Sequence, residues 1–255
     1  MKKLFNQIVR PTIRRLGVDV VRHEDVPRDF TEDNARICAA VKAFTMTPPE
    51  RVNALVDAVN YLEANKVPGA FVECGVWKGG SAMAMALALA QHERTDRALY
   101  LYDTYTGMTA PGEDDVSIGG EKAQTTFAEK QTGDDASDWC LSGVDEVRNN
   151  VLSTGYPAEK FQFIEGKVED TIPGQVPEKI ALLRLDTDWY ESTKHEMEHL
   201  FPRLQPGGIL IIDDYGHWRG SRKAVDEYLA QTGQHLLLVR VDYSCRMAVK
   251  TLSTA

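Results

Sequence analysis

The sequence predicts a doubly wound α/β fold: a mostly parallel sheet with helices on both faces and an antiparallel last strand. Three observations carry this. Apolar runs of strand length alternate with segments of helical period from about residue 69 to residue 231, and strands that alternate with helices build parallel sheets. Two of the runs, Ile180–Leu185 and 208–212, empty into acids, Asp186 and Asp188 after one and Asp213-Asp214 after the other. In an open parallel sheet, ligands lie outside the carboxyl ends of the strands. The chain then closes with two alternating segments, 235–239 and 245–249, around Asp242-Tyr243; these read as a hairpin and bring the strand candidates to seven.

The chain has 255 residues and is 43% hydrophobic, enough for one α/β domain with extensions and a full core. A net charge of −9 argues against a general binder of nucleic acid or of anionic membranes. No apolar run approaches the ~20 residues of a membrane-spanning helix. The four cysteines, Cys38, Cys74, Cys140 and Cys245, are scattered with no Cys-x-x-Cys pair, the pattern of reduced thiols in a cytoplasmic protein. The N-terminus is locally basic, with Lys2, Lys3, Arg10, Arg14 and Arg15 ahead of Asp19. It lacks the unbroken apolar stretch of a secretory signal. An oligomer contact or a loosely docked arm is expected there, ahead of a membrane-surface segment or an organellar leader.

Residues 30–66 read as helices. Phe30-Thr31-Glu32-Asp33 offers a cap, and Ile37, Val41 and Phe44 share a face. A loop, Thr45-Met46-Thr47-Pro48-Pro49-Glu50, opens the next helix with its prolines. Val52, Leu55, Val56, Val59 and Leu62 then recur at helical spacing. Residues 1–66 are therefore expected to form an N-terminal arm and a helical cap, packed on the sheet and walling the site, with 67–255 as the main domain.

Residues 69–75 are a short strand and turn, and Gly79-Gly80-Ser81 opens a helix rich in Ala and Met to about Gln91. Such a unit suits a nucleotide-type ligand, because glycines let the backbone approach it and a helix N-terminus offers free N–H groups. The pattern Glu73-x-Gly75-x-x-x-Gly79-Gly80 is not the Gly-x-Gly-x-x-Gly of dinucleotide folds, so pyrophosphate is not implied, and a tight turn without a ligand stays open. The next strand, 98–103, ends in Asp103. An acid at that place commonly takes both hydroxyls of a ribose; capping the following turn is the other reading.

Residues 105–138 are irregular, with Pro111, many acids and a possible helix at 121–130. A loop this long is either a lid or disordered; Tyr105, Met108, Phe127 and Trp139 favour a lid. A helix at 142–153 and a strand at 161–167 follow. Beyond Asp186-Thr187-Asp188, Ser192 and Thr193 are candidate caps for a helix near 191–202; Asp188 either caps that helix or faces the site. A last helix, 221–231, precedes the hairpin. Asp186, Asp213 and Asp214 brought to one edge would be a set of hard oxygen ligands, which suits Mg²⁺. One of Asp213 and Asp214 must turn from its neighbour as the chain leaves the strand, so one of them could act behind the ligands.

Four stretches together resemble a known family: Phe71-Val-Glu-Cys-Gly-Val-Trp-Lys-Gly-Gly-Ser81, Tyr102-Asp-Thr-Tyr-Thr-Gly-Met108, Leu185-Asp-Thr-Asp-Trp-Tyr-Glu-Ser-Thr193 and Gly207-Gly-Ile-Leu-Ile-Ile-Asp-Asp-Tyr215. They are similar to class I S-adenosylmethionine-dependent methyltransferases. More narrowly, they resemble the macrocin O-methyltransferase family, which methylates hydroxyls on sugars or phenolic parts of antibiotics. The resemblance implies a Rossmann-like seven-stranded sheet. It implies an S-adenosylmethionine site built from Thr45, Met46, Thr47, Glu73, Gly75, Ser81, Asp103, Ser142 and Gly166. It also implies Mg²⁺ held by Asp186, Asp213 and Asp214, with Asp188 as general base, a glycosylated natural product as acceptor, and a homo-oligomer. The chemistry agrees. A sugar hydroxyl is too weak an acid to ionise at neutral pH, coordination to Mg²⁺ acidifies it, and a neighbouring carboxylate can take its proton.

Four rivals are open to test. His195-Glu196-Met197-Glu198-His199 matches the zinc-protease pattern literally, but Pro202 follows and no Gly-x-x-His continues it. Catechol-type Mg²⁺ methyltransferases are similar but carry a lysine base three residues after the first acid, where this chain has Trp189. A nicotinamide oxidoreductase would want the dinucleotide glycines. A silent cofactor-binding protein would not need Asp186, Asp188, Asp213 and Asp214 together.

Overall fold

The computed structural model describes residues 10–15, 17 and 26–251. A helical turn, Arg10–Arg14, belongs to the basic arm; the rest of what the sequence suggested for that arm lies outside the described residues. Two helices follow, α1 (Glu32–Val41) and α2 (Pro49–Ala64). The Thr31 hydroxyl oxygen accepts the Asn34 backbone N–H and caps α1 (3.1 Å). Pro48 and Pro49 open α2 without a side-chain cap.

Strands and helices then alternate up to a closing pair of strands: β1 (Ala70–Cys74), α3 (Gly80–Gln91), β2 (Leu99–Asp103), α4 (Val144–Leu152), β3 (Phe161–Glu165), a helical turn (Val168–Thr171), β4 (Ile180–Leu185), α5 (Tyr190–His199), β5 (Leu204–Ile212), α6 (Arg219–Thr232), β6 (Val239–Arg240) and β7 (Arg246–Val249). The sheet order is β3-β2-β1-β4-β5-β7-β6. Strands β1 to β5 are parallel, and β7 runs antiparallel to both β5 and β6. The seven strands and the reversed last one are as the sequence predicts. Strand order changes direction between β1 and β4, the topological switch point where open sheets bind ligands.

Alternate residues of β1 serve opposite layers, as a pleated strand requires. Phe71 joins Val41, Val56, Leu62, Met85 and Val151 under α1 to α4. Val72 and Cys74 join Met197, Phe201 and Val225 under α5 and α6. Because α1 and α2 share the core of Phe71, the cap is a layer on the sheet. Helix α3 is apolar all round and buried along nearly its whole length, as fits a helix enclosed by helices on one side and the sheet on the other. Among the described residues no helix is long and apolar enough to cross a membrane.

The irregular segment is ordered. It contains a helix, Ala123–Lys130, and a two-stranded ribbon, Gln131–Gly133 with Ala136–Ser137. It folds back over the carboxyl ends of β4 and β5, where Ser117 bridges Trp218.

Candidate active site

Three strands end level. Cys74 pairs with Leu185, and Leu185 with Ile212. The ladder runs one residue further, through Asp186 N–H to Cys74 C=O (2.8 Å) and Asp213 N–H to Leu185 C=O (2.9 Å). Oxygens of Asp186, Asp188 and Asp214 then converge, all within 4.8 Å of one another.

Of the expected ligands, Asp213 stands outside this group of three. Its carboxylate accepts from Arg184 Nη2 (2.8 Å) and from Arg51 Nη1. Neighbours on a strand point to opposite faces, so the side that presents Asp214 turns Asp213 back toward the arginines. Asp188 is the third carboxylate of the group. It does not cap α5, and neither Ser192 nor Thr193 does. The N–H of Tyr190 donates to Asp115 Oδ1 (2.8 Å), a buried carboxylate from the lid, while the Ser192 hydroxyl donates back to Trp189 C=O (3.2 Å).

Crowding sets the electrostatics. Burial and the charge of Asp186 push Asp188 up to about 7. Burial first, then neighbouring carboxylates, hold Asp186 and Asp214 well above the usual range, although Arg184 pulls Asp186 down. Asp214 Oδ2 is buried with no hydrogen-bond partner. Three converging carboxylates and an orphaned oxygen are a donor set that fits a hard divalent cation.

Asp188 adopts φ +70°, and the Trp189 N–H closes the turn onto Thr187 C=O (2.8 Å). Such backbone is costly, on the order of 1–3 kcal/mol, and persists where its surroundings hold it. The Trp218 indole N–H donates to Asp188 Oδ2 (3.2 Å). Trp218, Trp189 and Trp139, at the end of the 105–138 segment, pack edge to face, with centroids 5.2–6.3 Å apart. Trp189 Nε1 donates to Thr109 C=O (3.1 Å). The position where a catechol-type enzyme carries lysine is thus a buried indole that fastens the lid.

Beside the acids lies a pocket lined by Gly75, Asp103, Met108, Gly166, Asp186 and Thr187. Gly75 has φ +83°, and a Cβ there would collide with the Asp186 carbonyl; only glycine permits that approach. Asp103 accepts from the N–H groups of Val76 (2.6 Å), Trp77 (3.1 Å) and Tyr105 (2.8 Å), so it ties the turn after β1 to the turn after β2. The alternative reading of Asp103 as a turn cap is realised, and the residue still lines the pocket.

Glu73 is buried beneath this edge. Its Oε1 accepts from Arg184 Nη1 (2.9 Å), and its Oε2 has no hydrogen-bond partner. Burial outweighs the arginine and raises the group to about 7. Such an oxygen fits an ammonium group of a ligand. Thr47 and Ser81 line a second, smaller cleft with Arg51, Arg184 and Asp213. Gly80 N–H donates to Phe44 C=O (3.0 Å), which holds the 45–47 loop at the start of α3; Thr45 and Thr47 share a hydroxyl contact (2.9 Å), and Met46 is exposed. Ser142 donates to Glu146 Oε2 (3.0 Å) ahead of α4 and lines neither cleft.

Sequence reasoning missed Arg184, Arg51, Asp115 and Trp218. Only Arg184 carried a signal: a cation within an apolar strand requires buried anions. The His-Glu-x-x-His pattern does not assemble a site. His195 Nε2 contacts Ile172 C=O (2.9 Å), and Glu196 points into the core toward Thr187.

The macrocin O-methyltransferase (TylF) family model matches residues 7–249. The chain belongs to that family. This O-methyltransferase is 36% identical over 191 residues to the 8-demethyl-8-(2,3-dimethoxy-alpha-L-rhamnosyl)-tetracenomycin-C 4'-O-methyltransferase of Streptomyces olivaceus, covering 75% of this chain and 69% of the relative. It is 32% identical over 200 residues to the mycinamicin III 3''-O-methyltransferase of Micromonospora griseorubida, covering 78% and 76%. Among solved structures, the O-methyltransferase NovP superposes with a TM-score of 0.73 at 26% identity, covering 98% of this chain and 97% of NovP.

Proposed function

We propose that this O-methyltransferase is S-adenosylmethionine-dependent and Mg²⁺-dependent, and acts on a hydroxyl of a deoxysugar or sugar carried by a natural product. The convergence of Asp186, Asp188 and Asp214 beside the glycine-lined pocket carries the reading. Asp186 and Asp214 would hold the cation with Asp188 at its side; a bound Mg²⁺ acidifies and orients the acceptor hydroxyl. The relatives are named for 4'-O-methylation of a rhamnosyl tetracenomycin and 3''-O-methylation of mycinamicin III, and the rhamnosyl group in the first name supports a sugar hydroxyl as acceptor. Trp189 in place of a lysine favours it over a catechol.

The chain's own groups divide the work. The free Glu73 Oε2 would take the ammonium of the cofactor's methionine part. Gly75 would line its pocket, and Asp103 would receive the ribose hydroxyls with its remaining lone pairs. Thr45–Thr47, Ser81 and Gly166 complete the wall. Bound S-adenosylmethionine would supply the methyl group, and Asp188 would take the proton of the acceptor hydroxyl. Transfer is in line, so alignment supplies much of the rate, and the folded-back lid keeps water out. A cytoplasmic homo-oligomer remains part of this reading.

Calorimetry tests it. Wild type is expected to bind S-adenosylmethionine with and without Mg²⁺, and Asp186→Ala to lose Mg²⁺ binding. A wild type that binds no cofactor overturns the proposal.

A further inference from the structure

One residue of the His-Glu-x-x-His stretch has a place in the site that zinc chemistry does not describe. Glu196 lies on α5 with no exposed surface. Burial drives its carboxyl well above the usual range. Its Oε1 accepts from the Thr187 hydroxyl (2.8 Å), and its Oε2 has no hydrogen-bond partner. An apolar side chain there would avoid the cost of that orphaned oxygen. What the carboxyl supplies in return is the bond to Thr187.

Thr187 is the residue between Asp186 and Asp188. The turn it belongs to is closed by the Trp189 N–H and places Asp188 at φ +70°, a conformation that relaxes unless held. Helix α5 holds this residue through Glu196, which takes its hydroxyl; the Ser192 hydroxyl, donating to Trp189 C=O (3.2 Å), lies 3.4 Å from its carbonyl. Trp218 fixes only the far end, at the Asp188 carboxylate.

We propose that Glu196 is a positioning residue that, through the Thr187 hydroxyl, locks the 186–188 turn and sets the separation of the Asp186 and Asp188 carboxylates. The functional weight of that separation rests on the cation reading above; the lock itself does not.

Two readouts on three variants test it. The first is amide hydrogen exchange at residues 186–189 in metal-free protein. The second is Mn²⁺ affinity by calorimetry, with Mn²⁺ as the hard-cation probe. Glu196→Ala and Thr187→Val are each expected to speed exchange in the turn about tenfold relative to β4. Each should weaken Mn²⁺ binding by about 10–100-fold, the usual effect of losing a group that orients a ligand. The double variant should be no worse than either single one, because both remove the same bond. Glu196→Gln keeps an acceptor oxygen for the Thr187 hydroxyl and should match wild type in both readouts; a catalytic or ligating carboxylate would not survive that change. Thr187→Val keeps the side-chain shape and carries the test should Glu196→Ala fail to fold. The proposal is overturned if Glu196→Gln behaves like the alanine variant, or if the turn stays protected and Mn²⁺ affinity is unchanged in Thr187→Val. If wild type binds no Mn²⁺ while the turn loosens in the variants, the lock stands and the cation reading falls.

Discussion

Arg184 is the single charged residue of β4, and three carboxylates meet it: Glu73 (2.9 Å), Asp186 (2.6 Å) and Asp213 (2.8 Å). Burial opposes its charge, but the acids outweigh burial and hold the guanidinium well above its ordinary value. It touches both the candidate cofactor acid and the first acid of the cluster. Removing one partner from such a group leaves uncompensated buried charge, at a cost of about 3–5 kcal/mol. Arg184→Met should therefore lower the urea midpoint of unfolding by a corresponding amount. In the proposed mechanism Asp188 belongs to the chemistry instead. Asp188→Asn should reduce kcat by roughly 10²–10⁴-fold, the range for loss of a general base, with S-adenosylmethionine affinity unchanged in calorimetry.

The lid is fastened by one buried acid and a set of rings. Asp115 accepts from Tyr190 N–H (2.8 Å) and Gly112 N–H (2.7 Å), so one carboxylate caps α5 and shapes the lid. The three indoles add edge-to-face contacts of about 0.5–1.5 kcal/mol each. The Lys167–Asp135 pair at the rim is more than a third exposed on both sides and contributes little. Asp115→Ala should cost about 1–2 kcal/mol through the lost cap. It should also speed limited proteolysis within 105–138, whereas Lys167→Ala should leave the proteolysis rate near that of wild type.

For the whole molecule, the buried acids make stability depend on pH and cation together. Glu73 and Asp188 are both raised to about 7, so each stabilises the protein fully below its unfolded value near 4. That contribution fades as pH rises through about 7. A cation bound among the carboxylates favours their charged form, and its binding is stronger where they are ionised. The rise in Tm on adding Mg²⁺ should therefore be larger at pH 8 than at pH 5. Equal shifts at both pH values would place the cation elsewhere.

The sequence alone determined the sheet, its reversed last strand, and the edge to which Asp186, Asp188, Asp213 and Asp214 are delivered. Those follow from strand and helix periods and from glycine turns, which act over a few residues. The Gly75 turn, the Asp103 strand end and the helix after Gly79 were legible for the same reason. Tertiary structure decided which of two adjacent acids enters the cluster, because the face each side chain takes depends on what packs against β5. It also decided that α5 is capped by Asp115, a residue 75 positions away, and that Glu196 serves the turn instead of a zinc ion. Capping and burial need only a donor and an acceptor brought together, and a partner supplied by a distant segment leaves no mark in local spacing.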